Sequence, residues 1–136
     1  MGIEQMTGVK PRLREYLKLQ EEALNGNLAF EILTADVNEP AGAAGWTHTV
    51  TFQVVDSSGN VHSWFNEDVT ATPADSSTLG TATVSDGTPT VTNGVGTVNL
   101  IGDAAAWVAA EDATMTLSHT MLGYTVTAAV FTVTIV

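Results

Sequence analysis

The side chains with catalytic or ligating potential are thinly spread along this sequence. His48, His62 and His119 stand far apart, with no metal-ligand spacing. Each sits among threonines, serines or valines, as a surface strand residue would. Glu67-Asp68 and Glu111-Asp112 are adjacent acids, and neighbours on a strand point to opposite faces, so neither pair makes a carboxylate dyad by itself. Ser118-His119 with Asp112 nearby is no triad, because a triad is defined by geometry that nothing here fixes. The run Asp56-Ser-Ser-Gly-Asn60 has the residue types of a calcium loop. It lacks the further acids and closing glutamate that six or more oxygen ligands require, and reads as a hairpin turn. Gly94-x-Gly96 lies inside a hairpin pattern rather than at a strand-to-helix phosphate loop. The chain has no cysteine, which removes disulfides, a thiolate nucleophile and cysteine metal sites. No hydrolase constellation emerges, no metal or other cofactor is implied, and the chain reads as not an enzyme. Three tryptophans remain. Trp46, beside Gly45, is expected to be exposed and, with Trp107, is the candidate for stacking on a sugar; Trp64 is expected in the core.

The charges are more informative. All four bases, Lys10, Arg12, Arg14 and Lys18, fall within Val9–Gly26. Residues 1–26 carry four bases and four acids, while residues 27–136 carry eleven acids and no base, which accounts for the whole net charge of −11. Such a body repels nucleic acid and anionic membranes, so neither is an expected partner. A weak cation site at a loop would suit it. There is no signal-peptide pattern and no run of membrane-spanning length.

Two parts follow from this partition: an anchoring segment, 1–26, and a domain, 27–136. In the segment, Pro11 suits a first helical position, helix formers run from Arg12 to Leu24, and Asn25-Gly26 is a stop. Leu13, Leu17 and Leu24 fall at spacings of four and seven, with Tyr16 beside them, forming one apolar stripe. A helix so short is marginal alone and needs a cover. The candidate contact residues for another protein or a sister copy are therefore Lys10, Arg12, Leu13, Arg14, Tyr16, Leu17, Lys18 and Leu24.

The domain has strand cadence. Leu28–Thr34 reads as a first strand. Val50, Phe52 and Val54 alternate with Thr49, Thr51 and Gln53, and the turn Asp56–Asn60 leads into a second arm, Val61–Phe65. Val69–Thr72 and Thr81–Val84 are short strands around a loop, Pro73–Gly80. Thr88–Thr92 and Val95–Leu100 flank Asn93-Gly94, a strong hairpin signal. Ala104–Ala110 bridges to Ala113–Ser118. The last strand, Tyr124–Val136, has no lysine to guard it as an edge. About eight short strands with turns every eight to twelve residues predict an all-β sandwich preceded by one short N-terminal α-helix.

The stretch Val50-Thr-Phe-Gln-Val-Val-Asp-Ser-Ser-Gly-Asn60 resembles the early hairpin of bacterial and phage immunoglobulin-like domains. Glu111-Asp-Ala-Thr-Met-Thr-Leu117 resembles the approach to their penultimate strand, although Met115 stands where a tyrosine is common, so a tyrosine corner is not expected. A small immunoglobulin-like domain behind a short anchoring segment is similar to the head-decoration and head-fibre proteins of tailed bacteriophages. That resemblance implies a structural protein of the virion, made in the host cytoplasm and carried on the capsid surface. Its partners would be the major capsid protein and sister copies around a capsid symmetry axis. The alternative is a carbohydrate- or receptor-binding module of a tail or fibre, served by Trp46 and Trp107.

Overall fold

The structure, a computed structural model, describes Leu17 and residues 28–42, 44–121 and 124–136. Among these residues the fold is all-β. It holds eight strands: β1 (Ala29–Ile32), β2 (Val37–Glu39), β3 (Trp46–Val55), β4 (Thr70–Asp75), β5 (Ala82–Val84), β6 (Val95–Gly102), β7 (Asp112–Met121) and β8 (Tyr124–Ile135). They hydrogen-bond in the order β4-β7-β8-β1-β3-β6-β5, with β2 beside β8, as a sheet that curls into a nearly closed barrel. The helix expected before β1 lies outside the described residues except for Leu17, which is helical and half-buried.

The barrel is two four-stranded halves with a thin link. β1, β3, β5 and β6 form one half through antiparallel pairings. β2, β4, β7 and β8 form the other, with β2 parallel to β8. One parallel register pair, Ala29 with Thr127, joins them, and the Thr127 N–H donates to Leu28 O at 2.9 Å. The inward residues are those that alternation in the long strands selects. Val50, Phe52 and Val54 from β3, Met115 and Leu117 from β7, and Phe131, Val133 and Ile135 from β8 share one core with Leu28, Phe65 and Leu100. Burial of each such side chain is worth about 1.5–3 kcal/mol, so this core is the main source of stability.

The far edges, β4 and β5, are closed by devices other than lysine. The outward N–H groups of Val69 and Ala71 donate to the carbonyls of Pro89 and Gly87, at 3.0 and 2.9 Å. The next residue on that side is Pro73, which has no N–H to satisfy. Across the seam the Asp75 carboxylate accepts from the Ala82 N–H at 2.9 Å. β8 is no edge: β7 lies on one side of it and β1 and β2 on the other. The expectation of an unguarded last strand is thereby corrected.

Three further sequence expectations change. The second arm, Val61–Phe65, is not a strand. After the Asp56–Asn60 turn only the Val55–Val61 bridge and the His62 N–H to Val54 O bond (2.9 Å) continue the hairpin. The chain then turns so that Phe65 is buried and Trp64 is 37% exposed, the reverse of the expected core placement of Trp64. Pro73 and Ala74 belong to β4, because an edge strand tolerates proline on its outward side. Asn93-Gly94 does form its tight turn, with both residues at positive φ (52° and 80°), but it closes through the single Thr92–Val95 bridge rather than between two long arms.

Candidate functional site

The two tryptophans offered for sugar stacking are not available to a ligand. Trp46 is 7% exposed and Trp107 1%. Their rings meet at 5.4 Å inside the end of the barrel. The reason is small residues opposite them. Trp46 pairs in register with Gly102 and lies over it, where no side chain competes. Trp107 covers Gly80, where an added Cβ would stand 2.5 Å from its Cε2. Trp107 Nε1 donates to Asp103 O at 3.3 Å, whereas Trp46 Nε1–H is buried with no partner among the described residues.

Beside this cluster lies a contact that sequence reading missed. His48, inward-facing on β3, packs against the rings of Trp46 (5.6 Å) and Phe131 (6.5 Å). Its Nε2 is 2.7 Å from Glu39 Oε1 on β2, so the pair ties one half of the barrel to the other. A second pair, His119 Nε2 and Glu67 Oε2, also at 2.7 Å, stands near the opposite end, with the Phe65 ring edge-on to the imidazole at 5.4 Å. An ionised carboxylate only accepts, so each imidazole carries its N–H on Nε2. The expected scatter of surface histidines is corrected for His48 and His119: both are partly buried and each holds an acid. The partners lie 9 and 52 positions apart in sequence. The period-2 burial of β3 places His48 on the inner face, which was the one available signal.

The remaining acids also work locally. Glu67 and Asp68 separate as expected for strand neighbours, Asp68 accepting from the Thr90 hydroxyl at 2.6 Å. Asp56 Oδ1 accepts from the N–H groups of Ser58 (2.9 Å) and Asn60 (3.0 Å). The Asn60 N–H foremost, then that of Ser58 and the His62 charge, holds the Asp56 carboxyl below its ordinary range against a small opposing desolvation. Its oxygens are thus engaged in shaping their own turn. Glu111 binds two loops at once, accepting from the Val108 N–H and from the Thr78 N–H (3.0 Å). The Val108 bond chiefly, with Thr78 behind it, lowers its pKa. Among the described residues no group of three or more histidines and acids is placed to hold a metal ion. No serine hydroxyl there is bonded to the imidazole of His48 or His119.

Of the expected contact residues, Lys10, Arg12, Leu13, Arg14, Tyr16, Lys18 and Leu24 lie outside the described residues; Leu17 is half-buried. The segment they belong to enters the domain at Leu28, which is fully buried.

No protein-family model matches the chain, and no curated protein matches it. A solved structure similar to it is the secreted serine protease VesC from Vibrio cholerae, at 14% identity and a TM-score of 0.43, covering 89% of this chain and 24% of that one. The expectation that the chain is not an enzyme is corrected on this finding and goes no further, since the neighbour is an enzyme. At that score and identity, the likeness assigns neither a reaction nor a catalytic residue to this chain.

Proposed function

We propose that the chain is a surface protein of a tailed-phage virion: an immunoglobulin-like domain carried on the capsid by its N-terminal segment. The observation that carries this reading is the charge partition. Every base lies between Lys10 and Lys18, and the domain that follows holds eleven acids and none. A polyanionic domain stays clear of packaged nucleic acid and of its own copies, while the segment is free to engage acidic groups on the major capsid protein. Sister copies would gather around a capsid symmetry axis.

Strand order supports the finer fold reading. The half β1-β3-β6-β5 corresponds to strands A, B, E and D of an immunoglobulin-like sandwich, and β4-β7-β8 to C, F and G. β2 would then be the continuation of the first strand that crosses over to the second sheet. The sugar-binding alternative loses its support, because the two tryptophans it needed are buried.

The test is co-sedimentation with phage particles that lack this protein. The full chain should pellet with them, and replacing Arg12 and Arg14 together with alanine should weaken this without changing the domain's melting temperature. No association with any particle, or association indifferent to these arginines and to Leu13→Asp with Leu17→Asp, would defeat the reading.

A further inference from the structure

Alternation along β3 turns Phe52 and Val54 inward and Gln53 outward, where Gln53 donates to Glu31 at 2.7 Å. The same alternation turns Val55 outward. Its register partners there are Ala29 on β1 and Val61. Yet Val55 is only 6% exposed, and it stands apart from the residues of the common core. Val61 and Val95, close by on the same side, are each 40% exposed, so they do not supply the missing cover by themselves. A valine buried on the outer face of a sheet has something lying over it.

The chain has one segment in reach. Residues 1–27 enter the domain at Leu28, directly before Ala29, at the edge of this same face. Leu17, in the middle of the segment's apolar stripe, is itself half-buried, more than a lone helix would provide. The stretch from Leu17 to Leu28 is long enough to double back across two or three strands, about 10–15 Å. Charge favours the same placement. The segment carries all the bases, and the carboxylates of Glu31 and Asp56 flank the face.

We propose that, in the free protein, residues 9–26 lie on the outer face of β1, β3 and β6 with the leucine stripe over Val55, between Val61 and Val95. The contact does not depend on any capsid. If the segment also grips a shell, as proposed above, the same leucines serve both surfaces, and leaving the first is the step that permits the second.

Trypsin reads this directly. All lysines and arginines of the chain fall between Lys10 and Lys18, so the enzyme cuts the segment and has no site in the domain. Proteolysis of a reversibly docked segment follows the population of its open form, so the intact chain should be cut about tenfold or more slowly than a synthetic peptide of residues 9–26. Val61→Asp with Val95→Asp, at exposed positions, should raise the rate toward that of the peptide, and Leu17→Asp should do the same from the other side. Circular dichroism and melting curves should show the β-domain intact in each variant. Cutting of the wild-type chain at the peptide's rate, or protection unchanged by all three substitutions, overturns the proposal. Protection that disappears on dilution together with a dimer in sedimentation also overturns it, since the segment would then come from a second copy. The particle assay is separate, so docking and attachment can fail independently.

Discussion

The indole ring of Trp46 lies across the backbone of Gly102, its register partner on β6, and a methyl group at Gly102 would overlap the ring. The pair seals one end of the barrel with an aromatic plate resting on a residue that has no side chain. Gly102→Ala should therefore destabilise the domain by about 1–3 kcal/mol, the range for overpacking a filled interior. Trp46→Ala should cost about 3–5 kcal/mol. Trp46→Phe keeps a ring over Gly102 and removes a buried, unpartnered donor, so it should cost less than the alanine change. Gly87→Ala, with open space around it, is the control and should be nearly neutral. Urea titrations of the four variants check the order.

The Glu67–His119 bond spans 52 positions and fastens the segment before β4 to β7. Glu67 is about a third exposed, so solvent screens part of its value. A double-mutant cycle with Glu67→Ala and His119→Ala should give a coupling of about 0.5–1.5 kcal/mol. A coupling of zero would mean that the pair is a consequence of packing around Phe65 rather than a contributor to it.

Glu111 sets an acid-side dependence. Its carboxyl is lowered in the folded chain, chiefly by the Val108 N–H, so the unfolded chain binds its proton first as pH falls. The stabilisation is complete above the ordinary glutamate range and is lost as pH drops through the folded value. Glu111→Gln should lower the melting temperature at neutral pH, and its deficit against wild type should shrink steadily on acidification. A constant deficit would place the effect in packing of the Thr78 and Val108 loops instead.

Eleven acids and no base in the domain repel one another in the compact state. The melting temperature should rise between low and physiological salt, over which the Debye length falls from about 30 Å at 0.01 M to about 8 Å. Calorimetry at matched pH and protein concentration tests it.

Much of the fold was legible. β3, β7 and β8 are long enough for alternation to show in the residues themselves, and Asn93-Gly94 named its own turn. The legible parts share a trait: their partners are near in sequence or their pattern repeats. What escaped depends on register. Nothing near Trp46 says that Gly102 will face it, nor near Trp107 that Gly80 will lie beneath it, so both tryptophans read as surface aromatics. His48 and Glu39 look unrelated until β2 crosses to pair with β8. Pro73 suggested a loop because the covering of an edge by residues 87–89 is not written near it. Val55 ended an alternating run without sign that its outer side would be closed.

Parallel pairing of β2 with β8 has a mechanical consequence. The segment joins the domain at one end, before Ala29, and β8 finishes at the other, at Ile135. Tension between those two ends pulls parallel neighbours in opposite directions along their own axes. The bonds joining Val37–Glu39 to Val133–Ile135 are then loaded side by side and must break together, as in a lap joint, rather than peel one after another. A domain tethered by its first residues and tugged from its far end would yield abruptly at high force, with this short ladder as its clasp.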